Sequence, residues 1–198
     1  MIRDFALADV ITLGNGVAGF GSVLLALAYL VKNQSVFINC AMVLLPIAGV
    51  LDFFDGRVAR WRQRNSALGA QLDSLADLIS FGVAPAVLGF ALGLRGGWDA
   101  LILTYFVSCG LSRLARYNVT STAMADDAGK VRYFEGTPIP TSVGLVFIWM
   151  GLYHAGKTGT AIPFGQVQLG PFLAHPFAAI YAISGSAMIS KTLKIPKP

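Results

Sequence analysis

Four aspartates stand in stretches that are otherwise apolar. Asp52 and Asp55 lie in Leu51-Asp52-Phe53-Phe54-Asp55-Gly56-Arg57-Val58-Ala59-Arg60, and Asp73 and Asp77 in Gly69-Ala70-Gln71-Leu72-Asp73-Ser74-Leu75-Ala76-Asp77. A charge at the centre of a membrane-spanning helix costs roughly 2.5–3.5 kcal/mol on insertion scales, and less near the interface. Sequences rarely carry four such groups without a use. Helical spacing sorts them into two stripes. Asp52, Asp55, Gly56, Ala59 and Arg60 fall at i, i+3, i+4, i+7 and i+8, and Gly69, Asp73 and Asp77 at i, i+4 and i+8. On two antiparallel helices joined by a short loop, these stripes can face one another at one end. Four facing carboxylates repel, and a hard divalent cation removes the conflict; carboxylate oxygens suit Mg²⁺ or Mn²⁺. Gly56, Ala59 and Gly69 leave room for a phosphate-bearing ligand to approach the backbone. Metal held by carboxylates together with substrate phosphates is the usual Mg²⁺ arrangement. The residues alone therefore point to phosphoryl chemistry at a membrane surface. Ion pairing with Arg57, Arg60, Arg62 and Arg64 accounts for one aspartate, not for four on two facing stripes flanked by small residues.

The elements that must position these groups are membrane helices. The chain has 198 residues, 55% hydrophobic and 13% charged, about half the roughly 25% charge of a soluble domain, with a mean hydropathy of +0.65. A spanning helix needs about 20 mostly apolar residues. Six stretches qualify, at 8–31, 35–60, 66–93, 98–117, 137–155 and 169–190, within one integral-membrane domain over 1–198. Residues 1–7 are short and amphipathic and are expected to lie in the interface. The first stretch lacks the pattern of a cleaved signal peptide and reads as a helix of the mature protein. With the N-terminus inside, Lys32, Arg95 and Lys157 are the three outside cations of the 15 lysines and arginines; the other twelve fall inside. The positive-inside rule thus selects a cytoplasmic site and cytoplasmic termini. The net charge of +5 then marks cytoplasmic loops and anionic lipid, and no nucleic-acid partner is expected.

The pattern Asp52-x2-Asp55-Gly56-x2-Ala59-Arg60-x8-Gly69-x3-Asp73-x3-Asp77 resembles the signature of the CDP-alcohol phosphotransferase family, with all eight fixed positions at the family's spacing. Three further segments, Ser80–Pro85, Leu111–Asn118 and Phe134–Pro140, are similar to those of its phosphatidylserine synthase branch. The resemblance covers most of the chain from Asp9 to about Pro140. It implies an all-α, six-helix fold, a homodimer, and a site open to the cytoplasmic leaflet. It implies transfer of the phosphatidyl group of CDP-diacylglycerol to an alcohol, L-serine in this branch, with release of CMP. Carried over by position, Asp52, Asp55 and Asp73 bind metal with Asp77 close by. Gly56, Ala59, Arg60 and Gly69, with Asp52 and Asp73, line the CDP pocket, and Asp77 is the general base. Arg113 and Arg116, at i and i+3 on one face, are candidates for the lipid phosphate or the serine carboxylate, since arginine grips either bidentately. They also suit the role of positive-inside anchors.

Gly14-Asn15-Gly16-Val17-Ala18-Gly19 matches a dinucleotide fingerprint literally, but it lies in an apolar span with no preceding strand. Close helix packing explains its glycines. Asn15, polar within a span, is expected near the nucleotide, where the family keeps an asparagine. Cys40 and Cys109 read as small buried hydrophobes. Asn118-Val119-Thr120 matches a glycosylation sequon but falls on the cytoplasmic side, Asp126-Asp127 reads as a solvated pair, and His154 and His175 fall on the outer side with no chemistry assigned. Two other readings compete. Within the family, glycerol 3-phosphate, inositol, inositol phosphate or an amino alcohol could replace serine, with Lys130 and Arg132 supplying extra positive charge. Outside it, an ion or metal transporter would also carry intramembrane carboxylates, but such sites lie near the midplane between repeated halves, and here the acids cluster at one end with no repeat.

Overall fold

The computed structural model describes residues 7–61, 67–124, 133–190, 192 and 194–196, with residues 7–8, 58–61, 67, 120–124, 133–135 and 194–196 described by their backbone path alone. Helix α1 (Leu7–Lys32) and α2 (Ser35–Trp61) form an antiparallel hairpin. Asn33 turns the corner between them at φ 51°, its amide donating to the Tyr29 carbonyl at 2.8 Å. Asparagine tolerates this left-handed conformation, which ends the helix. A third rod follows as α3 (Ala67–Asp77), a π-helical turn (Leu78–Val83) and α4 (Ala84–Leu92). Then come α5 (Gly97–Met124), α6 (Val143–His154) and α7 (Ala179–Ile189). The strands are short: β1 (Tyr133–Glu135) pairs antiparallel with β4 (Lys194–Pro196), and β2 (Val167–Leu169) with β3 (Phe172–Ala174).

Asp9–Lys32, Ser35–Arg57 and Leu68–Leu92 are long and apolar enough to cross a membrane, and Ile139–His154 and Pro176–Ile189 are shorter apolar helices. The chain is an all-α polytopic membrane protein. Its α1 wears its polarity inside out. Val10, Leu13, Val17, Phe20, Leu24, Leu27 and Val31 form an exposed stripe, whereas Thr12, Asn15 and Ser22 are buried. A lipid solvent permits this, because apolar side chains lose nothing by facing acyl chains and polar ones must find partners within the protein.

Each expected span coincides with a helical rod, with three corrections. Helix α5 continues to Met124 rather than stopping near 117. The last span starts at Pro176, not 169, because residues 167–174 turn back as the β2–β3 hairpin. The third span is interrupted by the π turn. Here Pro85, having no N–H, cannot donate to the Phe81 carbonyl one turn back; Ser142 Oγ donates to it instead at 2.6 Å. One turn on, the Pro85 carbonyl accepts from Tyr181 Oη at 2.7 Å, and Tyr181 accepts from Trp149 Nε1 at 2.9 Å. Trp149 and Tyr181 are fully buried and lock α4, α6 and α7 into one core. Cys109 is buried as expected, but Cys40 is exposed on α2. Residues 1–6 of the expected interfacial segment, the loop residues Arg62 and Arg64, and the Asp126-Asp127 pair lie outside the described residues.

His175 has no part in the aspartate cluster and instead has a structural role. At the end of the bundle away from the aspartates, its backbone amide donates to Asp99 Oδ1 at 2.8 Å and its Nδ1 lies 2.6 Å from Asp99 Oδ2. Asp99 Oδ2 also accepts from the Gly96 amide at 2.8 Å. The buried carboxylate ties the start of α5 to the chain that enters α7, a structural role the sequence does not announce.

Candidate active site

Three helices build the site. Asp52 and Asp55 lie near the end of α2, and Asp73 and Asp77 on α3. One carboxylate oxygen from each of Asp52, Asp55 and Asp73 falls within 4.8 Å of the other two. Asp55 and Asp77 are buried, while Asp52 and Asp73 are half-buried and open the group to its surroundings. Asp77 stands beside the three, near enough to interact electrostatically with Asp52 and Asp73. The two stripes do face each other, as the spacing predicts. Like charges this close inside a bundle need a counter-charge, and three convergent oxygen donors with an open side are a set that fits a hard divalent cation.

The third helix, α1, was not assigned to the carboxylates by spacing, yet it holds two of them. Thr12 Oγ1 donates to Asp55 Oδ2 at 2.8 Å, and Asn15 Nδ2 donates to Asp77 Oδ1 at 3.1 Å. Close approach makes these bonds possible. A Cβ on Gly19 would lie 2.6 Å from Ser80 Cα, so only glycine lets α1 sit against the π turn, where Ser80 Oγ donates to the Asn15 carbonyl at 2.9 Å. The packing reading of the Gly14–Gly19 segment therefore holds most strongly at Gly19. The only advance signal for Thr12 is that it is polar within an apolar span and three residues before Asn15.

The π turn begins directly after Asp77. Such turns occur mostly as local insertions at functional sites, where they re-aim the side chains that follow. The softer sequence segments meet there. Ile139 is fully buried; a Cβ on Gly110 would lie 3.0 Å from its Cδ1, and one on Gly82 4.0 Å. Gly136, at φ 76°, packs its backbone on the end of α7, where a Cβ would lie 3.0 Å from the Ala187 carbonyl oxygen. On α5, Asn118 and Ser74 exchange hydrogen bonds at 3.0 and 3.1 Å, which ties α5 to α3 next to Asp73.

The two arginines separate. Arg113 is within electrostatic reach of Asp77, whereas Arg116 Nη1 donates to the Ile189 carbonyl at the end of α7 at 3.4 Å. Gly56 is exposed, and a Cβ there would meet nothing within 4 Å. Protein packing does not demand a glycine at that position. Gly69 lies in the first turn of α3, half-exposed. The side chains of Ala59 and Arg60 lie outside the described residues, as do Lys130 and Arg132.

Comparison with known proteins identifies the family. The family model described as CDP-alcohol phosphatidyltransferase matches residues 5–181. The CDP-diacylglycerol–serine O-phosphatidyltransferase of Saccharomyces cerevisiae is 44% identical over 201 residues, covering 100% of this chain and 73% of the yeast protein. The protein of the same name from Mycobacterium tuberculosis is 35% identical over 84% of this chain and 65% of its own length, so the chain spans under two thirds of that relative. The archaetidylserine synthase of Methanothermobacter thermautotrophicus is 33% identical over 97% of this chain and 70% of its own. Aspartates at the signature spacing, gathered by helices α2 and α3, and a match over nearly the whole chain lead to one conclusion: this chain belongs to the CDP-alcohol phosphatidyltransferase family.

Proposed function

We propose that the chain transfers the phosphatidyl group of CDP-diacylglycerol to the hydroxyl of L-serine, giving phosphatidylserine and CMP. The observation that carries this reading is the convergence of Asp52, Asp55 and Asp73 beside a separate buried carboxylate, Asp77. Serine as the acceptor is supported by the names of the yeast and mycobacterial relatives. Asp52, Asp55 and Asp73, with Asp77 adjoining, are the residues to hold Mg²⁺ or Mn²⁺. When bound, a divalent cation supplies positive charge against the diphosphate as the anhydride bond breaks. Everything else falls to the chain itself. Gly56 keeps open the space that a diphosphate needs, with Gly69, Ala59 and Arg60 as its further lining. Asp77 takes the proton of the serine hydroxyl. The hydroxyl oxygen forms its bond to the phosphorus bearing diacylglycerol, the anhydride bond breaks, and CMP leaves with the electron pair. Thr12 and Asn15 keep Asp55 and Asp77 from swinging out of place. No Ser or Cys nucleophile pairs with a His base among the described residues, which favours direct displacement.

The excess of lysine and arginine at the carboxylate end supports a site and termini that face the cytoplasm. The exposed apolar stripe of α1 is suited to membrane lipids and to the second copy of a homodimer. The test is CMP release from CDP-diacylglycerol by purified protein, with and without Mg²⁺ or Mn²⁺, offering serine, glycerol 3-phosphate, inositol and inositol phosphate in parallel. Metal-dependent release with serine alone supports the reading. Release with another acceptor overturns the serine assignment and keeps the aspartate roles. No release from folded protein overturns the catalytic assignment.

A further inference from the structure

The chain between α6 and α7 carries an apolar surface at the end of the bundle away from the aspartates. No lysine, arginine, aspartate or glutamate occurs from Thr158 to Ser190. Within that stretch Phe164 is 81% exposed. It follows Pro163 in a turn closed by the Gly165 amide, which donates to the Ile162 carbonyl at 3.1 Å, and its φ is 68°. Glycine or asparagine suits that left-handed position, and a bulky residue rarely adopts it. The chain holds a benzyl group outward against its own backbone preference, and outliers of this kind concentrate at functional positions. Next in the chain, the pairing of β2 with β3 puts Val167, Leu169 and Phe172 on one face, all exposed. An isolated two-stranded hairpin is marginal in water, and uncharged open edges invite aggregation there.

What covers this face follows from where it is fixed. Trp98 Nε1, at the start of α5, donates to the Leu169 carbonyl at 2.9 Å. A Cβ on Gly97 would lie 2.7 Å from Phe172 Cγ, and one on Gly93 2.7 Å from Ile162 Cδ1, so hairpin and Phe164 turn share one end of the bundle. Trp98 is itself exposed and begins a stripe that continues at i+3 and i+7 through the exposed Leu101 and Tyr105. At 1.5 Å per residue, the stretch of α5 from Trp98 to Asn118, which bonds Ser74 beside Asp73, is about 30 Å long. That is the thickness of the hydrocarbon core, about 30 Å. Trp98 and the hairpin therefore stand at the far membrane boundary, on the flank that α5 turns to lipid. We propose that the Phe164 turn and the β2–β3 hairpin form an anchor inserted into the headgroup–acyl boundary of the leaflet opposite the aspartates, with lipid as the occupant of the apolar face. Aromatic side chains concentrate at that level, and the indole N–H of Trp98 is already bonded to protein, which leaves its ring to the lipid.

The test uses the full chain in phosphatidylcholine vesicles, with Cys40→Ala, the buried Cys109 kept, and a nitroxide on Phe164→Cys. The same label on Lys157→Cys and on Leu101→Cys gives the references for water and for lipid. Electron paramagnetic resonance measures collisions with oxygen, which concentrates in acyl chains, and with a water-soluble nickel chelate. The label at 164 is expected to meet the chelate about tenfold less often than the label at 157, because a hydrated complex is excluded from apolar surroundings. It is expected to meet oxygen as often as the label at 101. Chelate access equal to that at 157 places the turn in water and overturns the proposal. Shielding from both probes makes the cover a second copy of the chain and overturns it too. Trp98 supplies a measurement without any label. Its share of the fluorescence is the difference between unchanged protein and Trp98→Phe, in vesicles whose lipids carry bromine either near the carbonyl end or at the tip of the acyl chains. Quenching of that share chiefly by the shallow bromines is expected; quenching chiefly by the deep ones, or by neither, overturns the proposal.

Discussion

Gly16 and Gly19 sit one turn apart on α1 and should respond to alanine with opposite signs. A Cβ on Gly19 would lie 2.6 Å from Ser80 Cα and 2.8 Å from Ser80 Cβ. Carbon atoms rest at about 3.5–4.0 Å, so α1 and the π turn must part by about 1 Å. Overpacking of this kind costs about 1–3 kcal/mol. Loss of the bond from Ser80 Oγ to the Asn15 carbonyl adds about 0.5–1.5 kcal/mol. The better helix propensity of alanine returns about 0.8–1.0 kcal/mol. Gly19→Ala is therefore expected to be destabilised by about 0.5–4 kcal/mol. Because the same displacement carries Asn15 away from Asp77, turnover should fall about 100-fold, the cost of an ångström of misplacement at a reacting centre. A Cβ on Gly16 would instead lie 3.5 Å from Ala76 Cβ, an ordinary contact. Gly16→Ala should keep its activity and gain up to about 1 kcal/mol. Thermal unfolding in detergent and metal-dependent CMP release, run on both variants together, provide the comparison. A Gly19→Ala protein as stable and as active as Gly16→Ala would refute the close approach of α1 to the π turn.

Three further outcomes follow from the same geometry. Asp77→Asn keeps the size and the contact with Asn15 but cannot accept the hydroxyl proton, so CMP release should drop about 10²- to 10⁴-fold; near-normal turnover would remove Asp77 as the base. Thr12→Val deletes the 2.8 Å bond to Asp55 without changing shape, and the metal concentration needed for half-maximal activity should rise about 10- to 100-fold, the usual cost of losing a residue that orients a ligand. Thr12→Ser, which keeps the hydroxyl, should recover most of that loss, and a metal titration of the three proteins compares them. Tyr181→Phe strands both Trp149 Nε1 and the Pro85 carbonyl, at about 1–3 kcal/mol for each buried orphan; the unfolding temperature should fall clearly, and an unchanged value would show that this bond does not hold the core.

The membrane class, the helical rods and the four aspartates were legible because each rests on local information. A run of apolar residues demands a helix in lipid whatever surrounds it, and residues three or four apart share a face whatever that face meets. Tertiary packing decided the rest. That the third rod carries a π turn after Asp77, with the Phe81 carbonyl accepting from Ser142, is visible only in the folded chain. That residues 167–174 form a hairpin rather than the first turns of a span depends on pairing between two short strands. Thr12 lies 43 residues from Asp55 in the chain and His175 lies 76 from Asp99, and no periodicity links positions so distant. Arg113 and Arg116 are equivalent in helical spacing and were read as a pair. They differ because one lies within electrostatic reach of Asp77 and the other bonds the end of α7. The sequence determined which groups would be buried in the membrane; the fold decided which of them meet, because partners across helices are chosen by the closeness that residues such as Gly19 permit.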